Sequence, residues 1–309
     1  MKPKVIFMGT PEFALPSLEL IAKNFDLLAL FCQNDKPSGR NNKLHMPPTK
    51  SYILQHYPDV KIYQPKKFTH EYIKIIQDLD PDFIIVVAYG KILPKDVVAF
   101  RCINLHGSIL PYHRGASPIQ SMILHNDKKL GVTIMRMDEG MDSGDILHIF
   151  EIDNDFNITA FELSKMLSQK GASLLLETLK NYKNIKPIKQ DATKATFCKK
   201  IKKEDGLIDF ENESSNEIEL KYRAYNPWPG IFTNSKIKLF GITQNTQNAQ
   251  KDVNKAGEIL QIDRKSGVIT IACKIGAINI KEIQAPNKAK TKASDFLNGR
   301  GLKIGDIFA

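Results

Sequence analysis

DFIIVVAYG, residues 82–90, settles the architecture of the first half of the chain. Phe83 through Val87 are apolar without a break, so neither face of an extended chain here meets water. Such a strand belongs in the middle of a parallel sheet covered on both sides. Other stretches read alike: KVIFMG (4–9), DLLALFCQ (26–33) and CINLHG (102–107) are further buried strands. Between them the period changes. Leu15, Leu18, Ile21 and Ala22 recur at helical spacing after a start near Thr10–Pro11, and Tyr72, Ile75, Ile76 and Leu79 do so over 71–80. Helices are also expected at 96–100, 117–126 and 161–182, and strands at 132–138 and 145–152. Strand alternating with helix at short spacing means a doubly wound, mostly parallel α/β sheet. The first turn, GTPEF, is not G-x-G-x-x-G, so no nicotinamide site is expected.

The texture changes after residue 185. KPIKQDATKATFCKKIKK (186–203) has seven lysines, one acid and no clear period, which reads as a basic linker over 186–206. A short helix fits 215–223, and the two prolines of AYNPWPG (224–230) stop regular structure beyond it. Short strand-like runs at 237–242, 257–262, 267–273 and 277–283, with Gly-bearing turns, suggest a small all-β barrel over 207–309. The expected division is therefore a catalytic domain over 1–185, the linker, and the barrel.

A chain of 309 residues is long enough for two cores. No apolar run approaches the roughly 18 residues needed to cross a bilayer. MKPKVIFMGTPEF enters a strand at once, with neither the apolar core nor the cleavage site of a signal peptide. Cys32, Cys102, Cys198 and Cys273 form no C-x-x-C pair, so a reduced cytoplasm is the expected setting and no zinc site is read. Charge is uneven: residues 1–185 carry 22 basic and 20 acidic side chains, a net of +2, whereas 186–309 carry 22 and 14, a net of +8. An extended basic surface suggests a polyanionic partner, although lysine-rich surfaces also serve solubility alone. No third apolar surface stands out, so a monomer is expected.

The chemistry gathers in INLHGSILPYHRGASPIQ (103–120). Side chains alternate along a strand, so Asn104 and His106 share a face while Ile103 and Leu105 point the other way. In open parallel sheets the functional crevice lies beyond the carboxyl ends of the strands. There an amide can donate to a developing oxyanion, and an imidazole can donate or exchange a proton near neutral pH. GMDSGD (140–145) places Asp142 in a Gly-rich turn between two strands, where a carboxylate could orient the imidazole or help accept a proton from an amine. No serine or cysteine sits in a nucleophile elbow, so direct attack of an amine on an activated acyl donor suits the set. Each residue also has a purely structural reading. Asn104 can close a turn, His106 can be a satisfied core histidine, and Asp142 can be a turn residue. Asp138, Asp142 and Asp145 miss the spacing of a calcium loop. His113 and Arg114 read as solvated loop residues.

FMGTPEFA (7–14), Q-x-D-K-P-S-G-R (33–40), VVAYGKILP (86–94), the 103–120 stretch, VTIMRMDEGMDSGDIL (132–147), RAYNPWPG (223–230) and GRGLKIGD (299–306) together resemble the methionyl-tRNA formyltransferase family. The resemblance implies a Rossmann-like formyltransferase domain and a C-terminal OB-like barrel. It implies 10-formyltetrahydrofolate as formyl donor and initiator methionyl-tRNA as acceptor. Carried over position by position, it implies Asn104, His106 and Asp142 as catalytic residues. The pterin would lie near Tyr89, Gly90 and Ile92 and against Ser108, Ile109, Leu110 and Pro111, where Ile109 stands for the family's usual Leu. The loop NDKPSGRNNKLHMPPTK (34–50) resembles the family's tRNA acceptor-arm loop, with Arg40 and Lys43 at its basic positions and Asn41 and Asn42 departing from its usual Gly and Lys. More of the phosphate contacts would then fall to Lys199, Lys200, Lys202 and Lys203 and the barrel.

Three other readings compete. A formyltransferase of a small amine or nucleotide sugar would use the same trio, but would need neither basic linker nor barrel. A formyltetrahydrofolate hydrolase would put water where the amine attacks. A non-catalytic nucleic-acid-binding protein would use the barrel alone, although Phe232 and Phe240 offer little for base stacking.

Overall fold

Seven strands form the sheet that the apolar runs require: β1 (Lys4–Gly9), β2 (Asp26–Phe31), β3 (Lys61–Tyr63), β4 (Phe83–Val87), β5 (Cys102–His106), β6 (Lys129–Arg136) and β7 (Ile146–Asp153). Their order is β7-β6-β5-β4-β1-β2-β3, so the unbroken apolar strand β4 is the middle one. The computed structural model describes residues 2–38, 43–245 and 255–308. β1 runs parallel to β2 and β4, and β4 parallel to β5, with Val86 opposite Asn104. β6 and β7 then run antiparallel, with Thr133 opposite His106.

Burial follows the continuous apolar runs. Every residue of β4 is buried, and one face of the sheet packs Ile6, Met8, Phe31, Ile84 and Val86 against Ile76 of the helix His70–Leu79. On the other face the long helix Ala160–Lys180 comes close: a Cβ on Gly171 would lie 2.8 Å from Leu105 Cδ1. Leu105 is therefore consumed by packing, and Asn104 and His106 belong to the opposite face.

Contacts divide the chain into two units, Met1–Ile119 with Lys128–Asn154 and Glu162–Lys200, and Gln120–Asp127 with Asp155–Phe161 and Ile201–Ala309. Residues 186–200, expected as linker, lie within the first unit. Phe197–Cys198 pairs in parallel with Arg114–Gly115, and Ile188 bridges Ile146. Lysines alternate with small and β-branched residues here, which hides an extended segment from any periodicity test. The helix Pro48–His56 and the three-residue β3 also lie where no element was expected. The helix buries only Thr49 and Ile53, too narrow a stripe to register in the pattern.

The second unit contains two four-stranded antiparallel sheets. One joins Ile231–Phe232, Lys238–Phe240, Glu282–Gln284 and Thr291–Lys292; the other joins Thr243–Gln244, Ala277–Ile280, Val268–Ala272 and Ile259–Asp263. The single strand expected over 277–283 is two, in different sheets. Ile269, Ile271, Ile278 and Ile280 alternate into the core. The helix Ser215–Tyr225 starts on a capping box, in which Ser214 Oγ accepts from Glu217 N and the Glu217 carboxylate accepts from Ser214 N. Among the described residues no helix is long and apolar enough to cross a membrane.

Candidate active site

β5 delivers Asn104 and His106 to its carboxyl end, both buried, at 8% and 5% exposure. His106 Nε2 lies 3.1 Å from the His113 carbonyl oxygen. A carbonyl only accepts, so Nε2 carries the proton and donates. Nδ1 is then the ring nitrogen left over, 3.7 Å from Asp142 Oδ2. Burial holds the imidazole below its ordinary value; the Asp142 carboxylate opposes that shift, while Arg114 adds to it. The lowered pKa favours the neutral imidazole, with Nδ1 turned towards a carboxylate. Among the described residues no hydrogen bond reaches the Asn104 side-chain amide, which leaves its donors for a substrate oxygen.

Asp142 comes from the turn between β6 and β7. It sits at φ 49°, a left-handed conformation that Asp tolerates better than most residues. The turn closes tightly: a Cβ on Gly144 would collide with the Arg136 carbonyl oxygen. Two groups hold the aspartate, and a third holds one of them. Gly115 N donates to its Oδ2 at 2.8 Å. Gln190 Nε2 donates to the Asp142 carbonyl at 2.9 Å and to that of Gly144 at 2.6 Å. The oxygen of the same Gln190 amide accepts from Arg114 Nε at 3.1 Å and Nη2 at 2.6 Å.

The loop after β5 is braced from β6. Thr133 Oγ1 donates to the Ser108 carbonyl at 2.8 Å and accepts from Leu110 N at 3.0 Å. Ser108 and Leu110 are buried, and Ile109 and Pro111 are half-buried. After β4, the Tyr89 carbonyl accepts from Thr10 Oγ1 and Gln33 Nε2. The Tyr89 ring is buried, whereas Ile92 is 93% exposed. These expected donor-binding residues thus occupy the carboxyl ends of two adjacent parallel strands.

The basic candidates are more dispersed. Arg40 lies outside the described residues, with Asn41 and Asn42. Lys43 opens the short strand Lys43–His45, which pairs with Lys36–Ser38. The base of this loop is closed by a half-buried ion pair, Lys50 Nζ to Asp35 Oδ2 at 2.8 Å, with Gln64 donating to Asp35. Lys199 and Lys200 are exposed in the first unit, Lys202 and Lys203 in the second. The second unit also holds a polar cavity of about 350 Å³, and none of the candidate residues lines it.

One expectation is overturned. His113 and Arg114, read as solvated, are 4% and 6% exposed. The strand at 197–198 covers them, and Thr196 Oγ1 accepts from His113 N. Sequence reasoning also missed Thr133 and Gln190: a threonine inside a strand and a glutamine in a lysine run carry no local signal.

The chain is similar to known proteins along nearly its whole length. The Formyl transferase family matches residues 3–179, and the family Formyl transferase, C-terminal domain matches residues 200–301. A methionyl-tRNA formyltransferase from Helicobacter acinonychis (strain Sheeba) is 44% identical over 311 residues, covering 99% of this chain and 100% of that protein. One from Campylobacter jejuni subsp. doylei is also 44% identical, covering 98% of each. Among solved structures, an N-formyltransferase from Helicobacter canadensis in complex with folinic acid and dTDP-3-aminofucose superposes with a TM-score of 0.66, covering 91% of this chain and 98% of that one, at 22% identity. That likeness shows a shared fold. Two domain matches in order and near-half identity from end to end show that the chain belongs to the methionyl-tRNA formyltransferase family.

Proposed function

We propose that this protein transfers the formyl group of 10-formyltetrahydrofolate to the free amine of initiator methionyl-tRNA. The observation that carries the chemistry is the approach of His106 Nδ1 to within 3.7 Å of Asp142 beside the Asn104 amide, at the carboxyl end of β5. The acceptor is supported by relatives at 44% identity that carry that name across their whole length.

The amine attacks the formyl carbon. Negative charge builds on the formyl oxygen, where Asn104 donates from a buried, preorganised position. The attacking nitrogen sheds a proton to His106 Nδ1, and Asp142 stabilises the imidazolium so formed. The new C–N bond persists, the bond to the folate nitrogen breaks, and the proton returns to that nitrogen. His113 keeps the ring in one tautomer throughout by accepting from Nε2. The 3.7 Å separation is longer than a hydrogen bond, and a charged ring would draw the carboxylate closer. For the donor, the exposed Ile92 and the half-buried Ile109 and Pro111 supply apolar surface suited to a flat heteroaromatic ring. Arg40, Lys43, Lys199, Lys200, Lys202 and Lys203 would hold tRNA phosphates.

The test is direct. Purified protein, 10-formyltetrahydrofolate and charged initiator tRNA should yield formylmethionyl-tRNA. Formylation of a dTDP-linked amino sugar but not of the tRNA would favour the sugar reading. Formate release without acceptor would reveal a hydrolase, and failure to bind folate at all would leave a nucleic-acid-binding protein.

A further inference from the structure

The segment 188–199 closes on the catalytic turn, and one of its side chains touches that turn twice. Gln190 is 8% exposed and uses its whole amide. Both donated hydrogen bonds end on main-chain carbonyls at the aspartate and just beyond it, those of Asp142 and Gly144. Its oxygen faces Arg114, a guanidinium buried to 6% exposure that, among the described residues, has this neutral amide and no carboxylate as its side-chain partner. A buried charge held by an amide rather than a carboxylate needs another reason to be there, since desolvation is costly. The arrangement supplies one. Arg114 is fixed through its own main chain, where Arg114 N donates to the Thr196 carbonyl at 2.8 Å. Its fork orients the Gln190 amide so that both NH groups point at the turn. Asp142 needs such bracing because its left-handed backbone at φ 49° is a sparsely populated state that surrounding contacts must impose.

We propose that Gln190 is a positioning residue for formyl transfer, clamping the turn that carries Asp142 to the buried guanidinium of Arg114. This rests on the reading of Asp142 as the group that assists His106. Gln190→Glu separates the clamp from mere filling of space. It keeps size and shape and gives Arg114 a better partner, yet it removes both donors and sets an oxygen against two carbonyls. The fold should hold, because a buried guanidinium gains a carboxylate.

The experiment is a double-mutant cycle on the full chain, with Gln190→Glu, Asp142→Asn and the pair, measuring kcat, KM for each substrate, and Tm. Gln190→Glu is expected to lower kcat about 10- to 100-fold, as a displacement near 1 Å does, with both KM values within about twofold. In the Asp142→Asn background it should cost nothing further, because the two act through one group. The clamp is overturned if Gln190→Glu keeps kcat within about twofold of wild type while Asp142→Asn is impaired, or if the two losses multiply. If Asp142→Asn itself turns over like wild type, the reading of Asp142 fails and takes the clamp with it. Should Gln190→Glu not fold, Gln190→Met removes the donors without adding charge and is read by the same outcomes.

Discussion

At the scale of single residues the site asks for different consequences from each side chain. If Asn104 is the oxyanion donor proposed above, Asn104→Ala should lower kcat about 10²- to 10³-fold with KM little changed, checked by steady-state kinetics. His106→Ala should nearly abolish turnover while tRNA still binds in a gel shift; unchanged turnover would remove the imidazole from the mechanism. The pH profile carries a sign. His106 must be neutral to accept a proton, so activity falls as pH drops through its pKa. Burial depresses that pKa below the ordinary 6.5, so the imidazole's limb should lie below pH 6.5, separate from the higher limb on which the acceptor amine, ordinarily about 7.7–8.0, takes up its proton. Asp142 opposes the depression, so Asp142→Asn should move the acid limb to still lower pH as well as lowering kcat. A limb that moves upward in that variant would contradict the assignment.

Elements matter here through what holds their ends. The loop 108–111 has no periodic structure, and its shape comes from Thr133 on β6, which bridges Ser108 O and Leu110 N. Thr133→Val keeps the shape of the side chain but leaves both groups unpaired in a buried place. It should destabilise the fold by about 1–3 kcal/mol. If the loop receives the donor, the KM for folate should rise while that for tRNA does not. Chemical denaturation with kinetics on the same preparation checks both. Gly115 shows the same dependence on a neighbour. At φ 121°, with no room for a Cβ against Cys198 O, it lets the strand at 197–198 lie flat beside it while its N–H reaches Asp142. The segment 188–199 thus braces the turn that carries Asp142, which its lysine-rich composition did not announce.

For the whole molecule, the basic excess predicts a salt-dependent affinity for the acceptor. Replacing Lys199, Lys200, Lys202 and Lys203 by Gln should raise the KM for tRNA. It should also reduce the slope of log affinity against log salt by about 0.9 for each duplex phosphate no longer neutralised, leaving the KM for folate unchanged. Equal losses for both substrates would argue that these lysines support the fold instead. Much of the architecture was legible beforehand. An apolar run without a break, such as 83–87, can only be buried on both faces, which places it inside a sheet, and strict alternation along 102–106 sets Asn104 and His106 on one side of the neighbouring strand. Local geometry and solvation alone therefore dictated the parallel core, the second antiparallel unit and the shared face of two site residues. Asp142 was legible only as a candidate in a turn. Its approach to His106 depends on β6 and β7 returning antiparallel to the same sheet edge, a pairing between residues far apart in the chain. The burial of Arg114, the hold of Thr133 on its loop and the reach of Gln190 likewise arise only when the chain has folded. They depend on which distant backbone groups lie within about 3 Å, the range of a hydrogen bond, and no local period encodes that distance.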